Sequence, residues 1–464
     1  MSNKTEQNDL MEKIVSLCKR RGFVFPSSEI YGGLANTWDF GPMGVLLKNN
    51  FKELWWKIFV QEREDMVGLE SSIIMNPRVW EASGHVSEFA DMLIDCKKCK
   101  NRFRADHLVE DATGIDIEGK SPEEAAKVIE KNKVKCPACG KIDWTKARNF
   151  NLLFKTYIGA IEDEKAIAYL RGETAQGMFV DFKEILNSSR QKIPFGIAQV
   201  GKSFRNEVTP GNFIFRTREF EIAELEYFMS PKADWRKIFD SWLKVMQRLA
   251  NEIGLNEKDI HFHDISKEKR AHYSKKTVDV EYNYPFGQSE LWGLAYRTDY
   301  DLKKHQEYSG KDLSYADPKT NEKYIPHVVE PSMGVERSLL AILCAAYTEE
   351  KIEKETRIVM KFPKNLAPIK IAVFPLLKNK PELVERAHDI FDSLKLSYMC
   401  EFDDNGNIGK RYRRQDEIGT PYCVTVDFDS VKDDTVTVRD RDTMEQKRVK
   451  IADLEAFFSK SFGK

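Results

Sequence analysis

The chain has 464 residues, 41% hydrophobic and 32% charged, a size and mix that suit two or three globular domains, each able to bury its own core. Its 73 Lys and Arg nearly cancel 74 Asp and Glu, for a net charge of -1, which excludes a protein drawn to nucleic acid by bulk charge and leaves RNA contact to local patches. No apolar run nears the ~18 residues of a membrane span, and the opening MSNKTEQNDLMEK lacks the apolar core and small-residue cleavage site of a secretion signal, so a cytoplasmic protein without membrane contact is expected.

Leu10, Met11, Ile14, Leu17 and Cys18 recur at helical spacing up to Gly22, which predicts a short amphipathic helix that packs and does no chemistry. From residue 95 to about 148 the composition turns to Lys, Asp and Glu. This stretch reads as an insertion, with one helix opened by Ser121-Pro122-Glu123-Glu124, a capping box with proline at the first helical position. Residues 149–361 alternate strand-like runs with helices such as Trp235 to Ile253, whose apolar face is Phe239, Trp242, Leu243, Met246 and Leu249. The expectation is an α+β domain, assembled from 1–94 and 149–361, with a mainly antiparallel sheet and flanking helices. A linker, Phe362 to Pro368, leads to IKIAVFPL, a helix from Pro381 to Leu394, TPYCVTVD and a strand near Thr435 to Val438. That β/α alternation predicts a separate small α/β domain over 362–464.

Two Cys-x-x-Cys pairs, Cys96 with Cys99 and Cys136 with Cys139, have the half-site spacing of a tetrahedral zinc centre, and Gly140 suits the turn that follows the second pair. Their separation exceeds that of a compact zinc ribbon, and redox-labile or vestigial thiols are the alternative. Disulfides are not expected in a cytosolic chain. The other four cysteines, Cys18, Cys344, Cys400 and Cys423, sit in apolar contexts and are expected in the core.

The densest chemistry lies in FRNEVTPGNFIFRTREF, Phe204 to Phe220. Strand-like runs, Phe195 to Phe204 and Phe213 to Phe228, predict an antiparallel hairpin around a Pro210-Gly211 turn. Arg205 and Arg216 supply cations for phosphates, Glu207 an acceptor for a base edge, and Phe220 a face to stack on, the parts of a nucleotide clamp. The plain alternative is a charged surface hairpin with cross-strand ion pairs. A second motif, Glu330-Pro-Ser-Met-Gly-Val-Glu-Arg337, predicts a strand, a tight turn and a buried helix. There Gly334 allows a ligand close to the backbone, and Arg337 adds a cation to a helix start that already favours anions.

Taken together and in this order, FRNE...RTREF and GVER resemble motifs two and three of the class II aminoacyl-tRNA synthetases. An amphipathic helix with Leu46, Leu47, Phe51, Leu54, Trp55 and Ile58, followed by Ser71 to Met75 as a strand ending at Pro77, resembles motif one, which forms the dimer interface in that family. YGGLANTWDFGPMG, RADHL, RGETAQG and EPSMGVER narrow the resemblance, over essentially the whole chain, to the dimeric, bacterial-type glycyl-tRNA synthetases. The resemblance implies a homodimer that joins glycine to ATP, releasing pyrophosphate, and passes the glycyl group to the 3′ end of tRNA(Gly). A synthetase for another small amino acid and a non-catalytic RNA-binding protein are the rival readings.

By that resemblance Arg205, Glu207 and Arg337 are the catalytic set: Arg205 holds the α-phosphate and the substrate carboxylate, Glu207 meets the adenine edge, and Arg337 covers the ring and the distal phosphates. Arg216 reaches the γ-phosphate and Phe220 stacks on adenine. The ATP site extends over Asn206, Phe215, Thr217, Arg218, Glu219, Leu291, Gly334, Val335 and Glu336, with Glu290 as the magnesium carboxylate. The amino-acid site comprises Arg104, Glu173, Phe220, Glu221, Ile222, Ala223, Glu224, Glu330, Pro331, Ser332, Met333 and Gly334, with Glu173, Glu224 and Glu330 around the ammonium. The run IGKRYRRQDEIGTPY places Lys410, Arg411, Arg413 and Arg414 on an RNA-facing helix of an anticodon-binding domain, with Tyr412 free to stack on a base.

Overall fold

The computed structural model describes residues 2–117, 120–208, 211–271, 273–353 and 355–463, with the backbone alone for 2–8. Seven strands form its largest sheet. In spatial order they are Ile260–Asp264, Lys276–Tyr284, Gly287–Thr298, His327–Gly334, Glu219–Met229, Phe195–Phe204 and Met66–Gly68. Every neighbouring pair is antiparallel except the last, which is parallel. Side chains alternate across a strand, and here the alternation divides labour. Strand Glu219–Met229 sends Ala223, Leu225, Tyr227 and Met229 into a core shared with helices Pro42–Trp56, Trp235–Glu252 and Val335–Ala346. Its other face carries Phe220, Ile222, Glu224 and Glu226, then Phe228, which packs on Phe179 and Phe182. The apolar end of that face is closed by two short helices, Ala175–Val180 and Phe182–Ser189. The polar end stays open to a cleft.

Three local expectations change. The strand after the first helices is Met66–Gly68, not Ser71 to Met75, where only Ile74 makes a bridge, to Leu170. Pro77 opens a helix, Pro77–Ala82, capped by the Asn76 side chain, as proline at the first helical position favours. The second arm of the hairpin starts at Glu219; Phe213–Phe215 is a 3-10 turn entered through positive φ at Asn212 (43°) and continued at Phe213 (59°), a geometry strands exclude.

Residues 90–151 hold a three-stranded sheet, Arg102–Arg104, Ala90–Asp95 and Arg148–Asn151, with helices Ala105–Thr113 and Pro122–Lys131 around Ile94, Leu108, Val109, Ile129 and Val134. The capping box at Ser121 and Glu124 is formed. Near the C-terminus a five-stranded sheet, ordered Cys400–Phe402, Ile371–Pro375, Tyr422–Val426, Thr435–Asp440 and Gln446–Lys450, has its own core under helices Pro381–Leu394 and Leu454–Phe462. Ile418, Phe362, Leu366 and Ile369 nevertheless belong to the main core, so the two units share apolar packing at their junction. Among the described residues no helix is long and apolar enough to cross a membrane.

Candidate active site

Strand pairing stops with Phe204 opposite Glu219, so residues 205–208 and 211–218 lie outside the sheet at its polar end; Pro210 of the expected turn lies outside the described residues. The open cleft beneath is lined by Arg205, Glu207, Phe215, Arg216, Phe220 and Arg337, among others. The Arg205 guanidinium sits 5.2 Å from the Phe89 ring and 5.4 Å from the Phe220 ring, and Nε donates to Gly172 O at 3.1 Å. Among the described residues neither Arg205 nor Arg216 has a carboxylate partner, and the Glu207 carboxylate has no donor. Two uncommitted cations and an uncommitted acceptor thus face one cleft, which weighs against a hairpin of cross-strand ion pairs.

The second motif runs from strand His327–Gly334 straight into helix Val335–Ala346, with no intervening turn. Arg337, in the first helical turn, lies 4.6 Å over the Phe215 ring and pairs with Glu290 at 2.9 Å. At the cleft rim the Glu290 side chain is 49% exposed, and the Arg337 charge holds its carboxyl below the ordinary range. Nearby, burial first, then the charges of Glu290 and Glu281, push the Asp279 carboxyl up to about 7.

Several expected contacts point elsewhere. Thr217, Leu291, Gly334, Glu336, Ile222 and Ser332 line the cleft, but the Asn206 backbone N–H donates to Leu152 O, and Arg218 staples the segment by donating to Glu207 O. Glu219 pairs with Lys202 on the surface. Glu221 and Glu336 both bind the buried Lys48 ammonium at 2.6 Å. Ala223, Met333 and Val335 are core residues, and Pro331 is buried in its strand. Arg104 is not a free surface cation: it binds Asp91 at 3.0 Å and Asp106 at 2.5 Å.

Beside the arginine-lined cleft lies a buried set of acids. Glu224 accepts from Thr174 Oγ1 at 2.6 Å and from Ser332 Oγ at 2.7 Å. Glu173 accepts from Gln176 Nε2 at 2.8 Å and lies 3.3 Å from His85 Nε2. Glu330 takes both of its bonds from Arg297 Nη1, at 2.9 and 3.0 Å, while Nε and Nη2 of the same guanidinium bind Asp301 at 2.8 Å. The Tyr273 ring covers that guanidinium at 3.9 Å. Burial and mutual repulsion raise the Glu224 and Glu330 carboxyls; for Glu173, burial is outweighed by His85, Arg297 and Gln176 together, which lower it. Glu226, with Asp301 and Arg297, is a member that motif reading missed. The signals were present: Glu226 is two residues beyond Glu224 on a strand, and Arg297 stands four before Asp301 at a helix start.

The four cysteines of the paired motifs come together. Sγ of Cys96 lies 3.7 Å from that of Cys139, and Cys99 Sγ lies 3.6 Å from Cys136 Sγ, with all four within 4.8 Å of one another. Thiolates at the ~2.3 Å zinc distance stand about 3.8 Å apart on a tetrahedron, so the residues fit that ion. Both turns close alike: Lys100 N donates to Cys96 O and Gly140 N to Cys136 O, at 2.9 and 2.8 Å, through positive φ at Lys100 and Gly140. On the basic helix Ile408–Ile418 the expectation fails in part. Arg411 is buried and binds backbone oxygens of Asp404 and Gly406, and Arg414 pairs with Asp403 at 2.5 Å. Tyr412 donates or accepts at Thr425 Oγ1 (2.6 Å) and packs edge-on against Phe374, so its ring is not free to stack on a base.

The antiparallel sheet, the arginine-lined cleft on its polar face and the strand-to-helix motif bearing Arg337 are those of a class II aminoacyl-tRNA synthetase core. The family model described as "tRNA synthetase class II core domain (G, H, P, S and T)" matches residues 154–346, and "Anticodon binding domain" matches 370–461. Among curated proteins, the chain is 56% identical to a glycine–tRNA ligase of Caldanaerobacter subterraneus subsp. tengcongensis, over 96% of this chain and 97% of the relative. Glycine–tRNA ligases of Lachnoclostridium phytofermentans and Clostridium perfringens are 55% and 54% identical over 97% of this chain, covering 99% and 98% of the relatives. The chain belongs to the glycine–tRNA ligase family.

Proposed function

We propose that the protein acts as a glycine–tRNA ligase in which the cleft binds ATP with magnesium and the adjoining acid pocket binds glycine. The observation that carries this is the pairing of two arginines that have no carboxylate partner among the described residues, Arg205 and Arg216, with a buried pocket of excess negative charge on the same sheet face. The first asks for phosphates and a carboxylate; the second asks for an ammonium. In the first step the glycine carboxylate attacks the α-phosphorus and pyrophosphate leaves. In the second, a terminal ribose hydroxyl of tRNA(Gly) takes the glycyl group. Neither step needs a nucleophilic side chain, so the protein's part is positioning and charge neutralisation.

In this reading Arg205 bridges the glycine carboxylate and the α-phosphate, joining two anions that otherwise repel. Glu207 accepts from the adenine amine, Phe220 stacks on the ring, and Arg216 takes the terminal phosphate. Arg337, already laid over Phe215, closes the other side of the nucleotide. Glu290 keeps lone pairs beyond its Arg337 bond for a hydrated magnesium ion. The cysteine tetrad holds a structural zinc that fixes the fold of the insertion. A homodimer is supported by apolar side chains left outside the core, Ile30 and Tyr31 (88% exposed each), Leu34 and Val45. The C-terminal domain reads the tRNA, in the cytoplasm. Exchange of labelled pyrophosphate into ATP across a panel of amino acids tests the reading: glycine alone should support it, and exchange driven by another amino acid, or by none, would overturn it.

A further inference from the structure

Glu226 continues the register set by Glu224 with Ser332 and Tyr227 with Val329, and so stands opposite Glu330. Its side chain is fully buried, yet neither carboxylate oxygen has a hydrogen-bond partner among the described residues. Burying an unpartnered carboxylate is costly, and placing it across from a like group adds to the cost. Oxygens of Glu224, Glu226 and Glu330 all lie within 4.8 Å of one another. Three acceptors around one ammonium nitrogen at about 2.9 Å stand about 4.7 Å apart, because the three N–H bonds are tetrahedral. Glu224 and Glu330 retain acceptor capacity beyond their present bonds. Glu173, the third acid expected from the sequence, is committed to His85 and Gln176.

We propose that Glu226 completes an ammonium cup with Glu224 and Glu330 and accepts one of the three N–H bonds of the substrate's amine. The inference rests on the acid pocket being the glycine site. Before the amine arrives, burial and the charges of Glu330, Glu224 and Asp301 favour the neutral acid, against the opposing charge of Arg297. An entering ammonium reverses that balance. Glu226 releases its proton to solvent as the cation binds, so one positive charge enters and one leaves.

Glu226→Gln keeps the shape and cannot ionise. In glycine-dependent pyrophosphate exchange it should raise KM for glycine at least tenfold and leave KM for ATP within twofold. Titration calorimetry of glycine in buffers of different ionisation heat should count proton release by the wild-type protein and a smaller count, or none, by the variant. An unchanged KM for glycine, equal losses for glycine and ATP, or a wild type that releases no proton would each overturn the inference. Removing one acid from a crowd of acids should leave thermal stability equal or higher, and the wild-type proton count needs no variant at all. Should the wild-type protein exchange with no amino acid, the parent reading falls; should it exchange with glycine and Glu226→Gln match it, only the cup falls.

Discussion

Replacing Asp416 by asparagine removes a carboxylate that two buried arginines share at the junction of the domains. Arg357, on strand Glu355–Met360 before the linker, donates to it through Nε and Nη2 at 2.8 Å each; Arg439, on the C-terminal sheet, donates at 3.0 and 3.3 Å. Arg357 is 0% and Asp416 1% exposed, so solvent cannot take over the lost role. Removing one member of a buried, hydrogen-bonded pair costs about 3–5 kcal/mol. At about 2–4 °C per kcal/mol for a unit of this size, the first unfolding transition should fall by about 6–20 °C. Arg357→Met should cost less, because Asp416 keeps Arg439 and Glu350 keeps Lys361 at 2.7 Å, so that of the partners of Arg357 the neutral Arg441 carbonyl bears the main loss. The cleft is built from other residues, so glycine-dependent exchange at 25 °C should survive Asp416→Asn, while tRNA charging, which needs both domains in place, should fall further. Thermal unfolding with both activity assays decides the matter. A transition within about 2 °C of wild type, or Arg357→Met costing more than Asp416→Asn, would refute the reasoning.

Arg205→Ala should slow exchange by about 10²–10³-fold, the usual loss for a preorganised donor at developing charge, with little change in stability; a variant keeping a tenth of the wild-type rate would show that the cation is misassigned. Asp279 has a folded pKa near 7 against about 3.9 unfolded. It therefore costs stability above pH 7, and that cost shrinks as pH falls from 7 toward 4. Asp279→Asn should raise Tm clearly at pH 8 and less at pH 5, and an equal gain at both would count against the raised pKa. Cys96→Ser should abolish zinc in metal analysis and make residues 95–148 sensitive to protease, since structural zinc contributes folding energy outright; a full zinc complement in the variant would dismiss the tetrathiolate.

Some elements are legible to the residue. Strand Phe195–Phe204 and helix Pro381–Leu394 coincide with their expected limits, one because a near-continuous apolar run stops at charged residues, the other because proline opens it. Phe213 to Phe215 misled for a physical reason: three large apolar residues in a row have strand propensity, but Asn212 and Phe213 adopt left-handed backbone that lays Phe215 against Tyr284, Phe286 and Arg337. Tyr412 misled through its company. Basic neighbours suggest an RNA face, yet Arg414 is spent on Asp403 and Arg411 on backbone oxygens, and the phenol is turned inward.

The acid pocket separates what a motif can carry from what only a fold can. Glu224, Glu330 and Ser332 are marked in the chain because they sit inside short recognisable runs. Their partners arrive from elsewhere: Arg297 from the neighbouring strand, Asp301 from the helix after it, His85 from a short helix far upstream. No spacing within a motif encodes that Arg297 satisfies Glu330, or that His85 and Gln176 meet Glu173. Strand register does encode where Glu226 stands. Once Glu224 pairs with Ser332, Glu226 has to face Glu330, and the acid left without a donor becomes the one with a bond to offer the substrate.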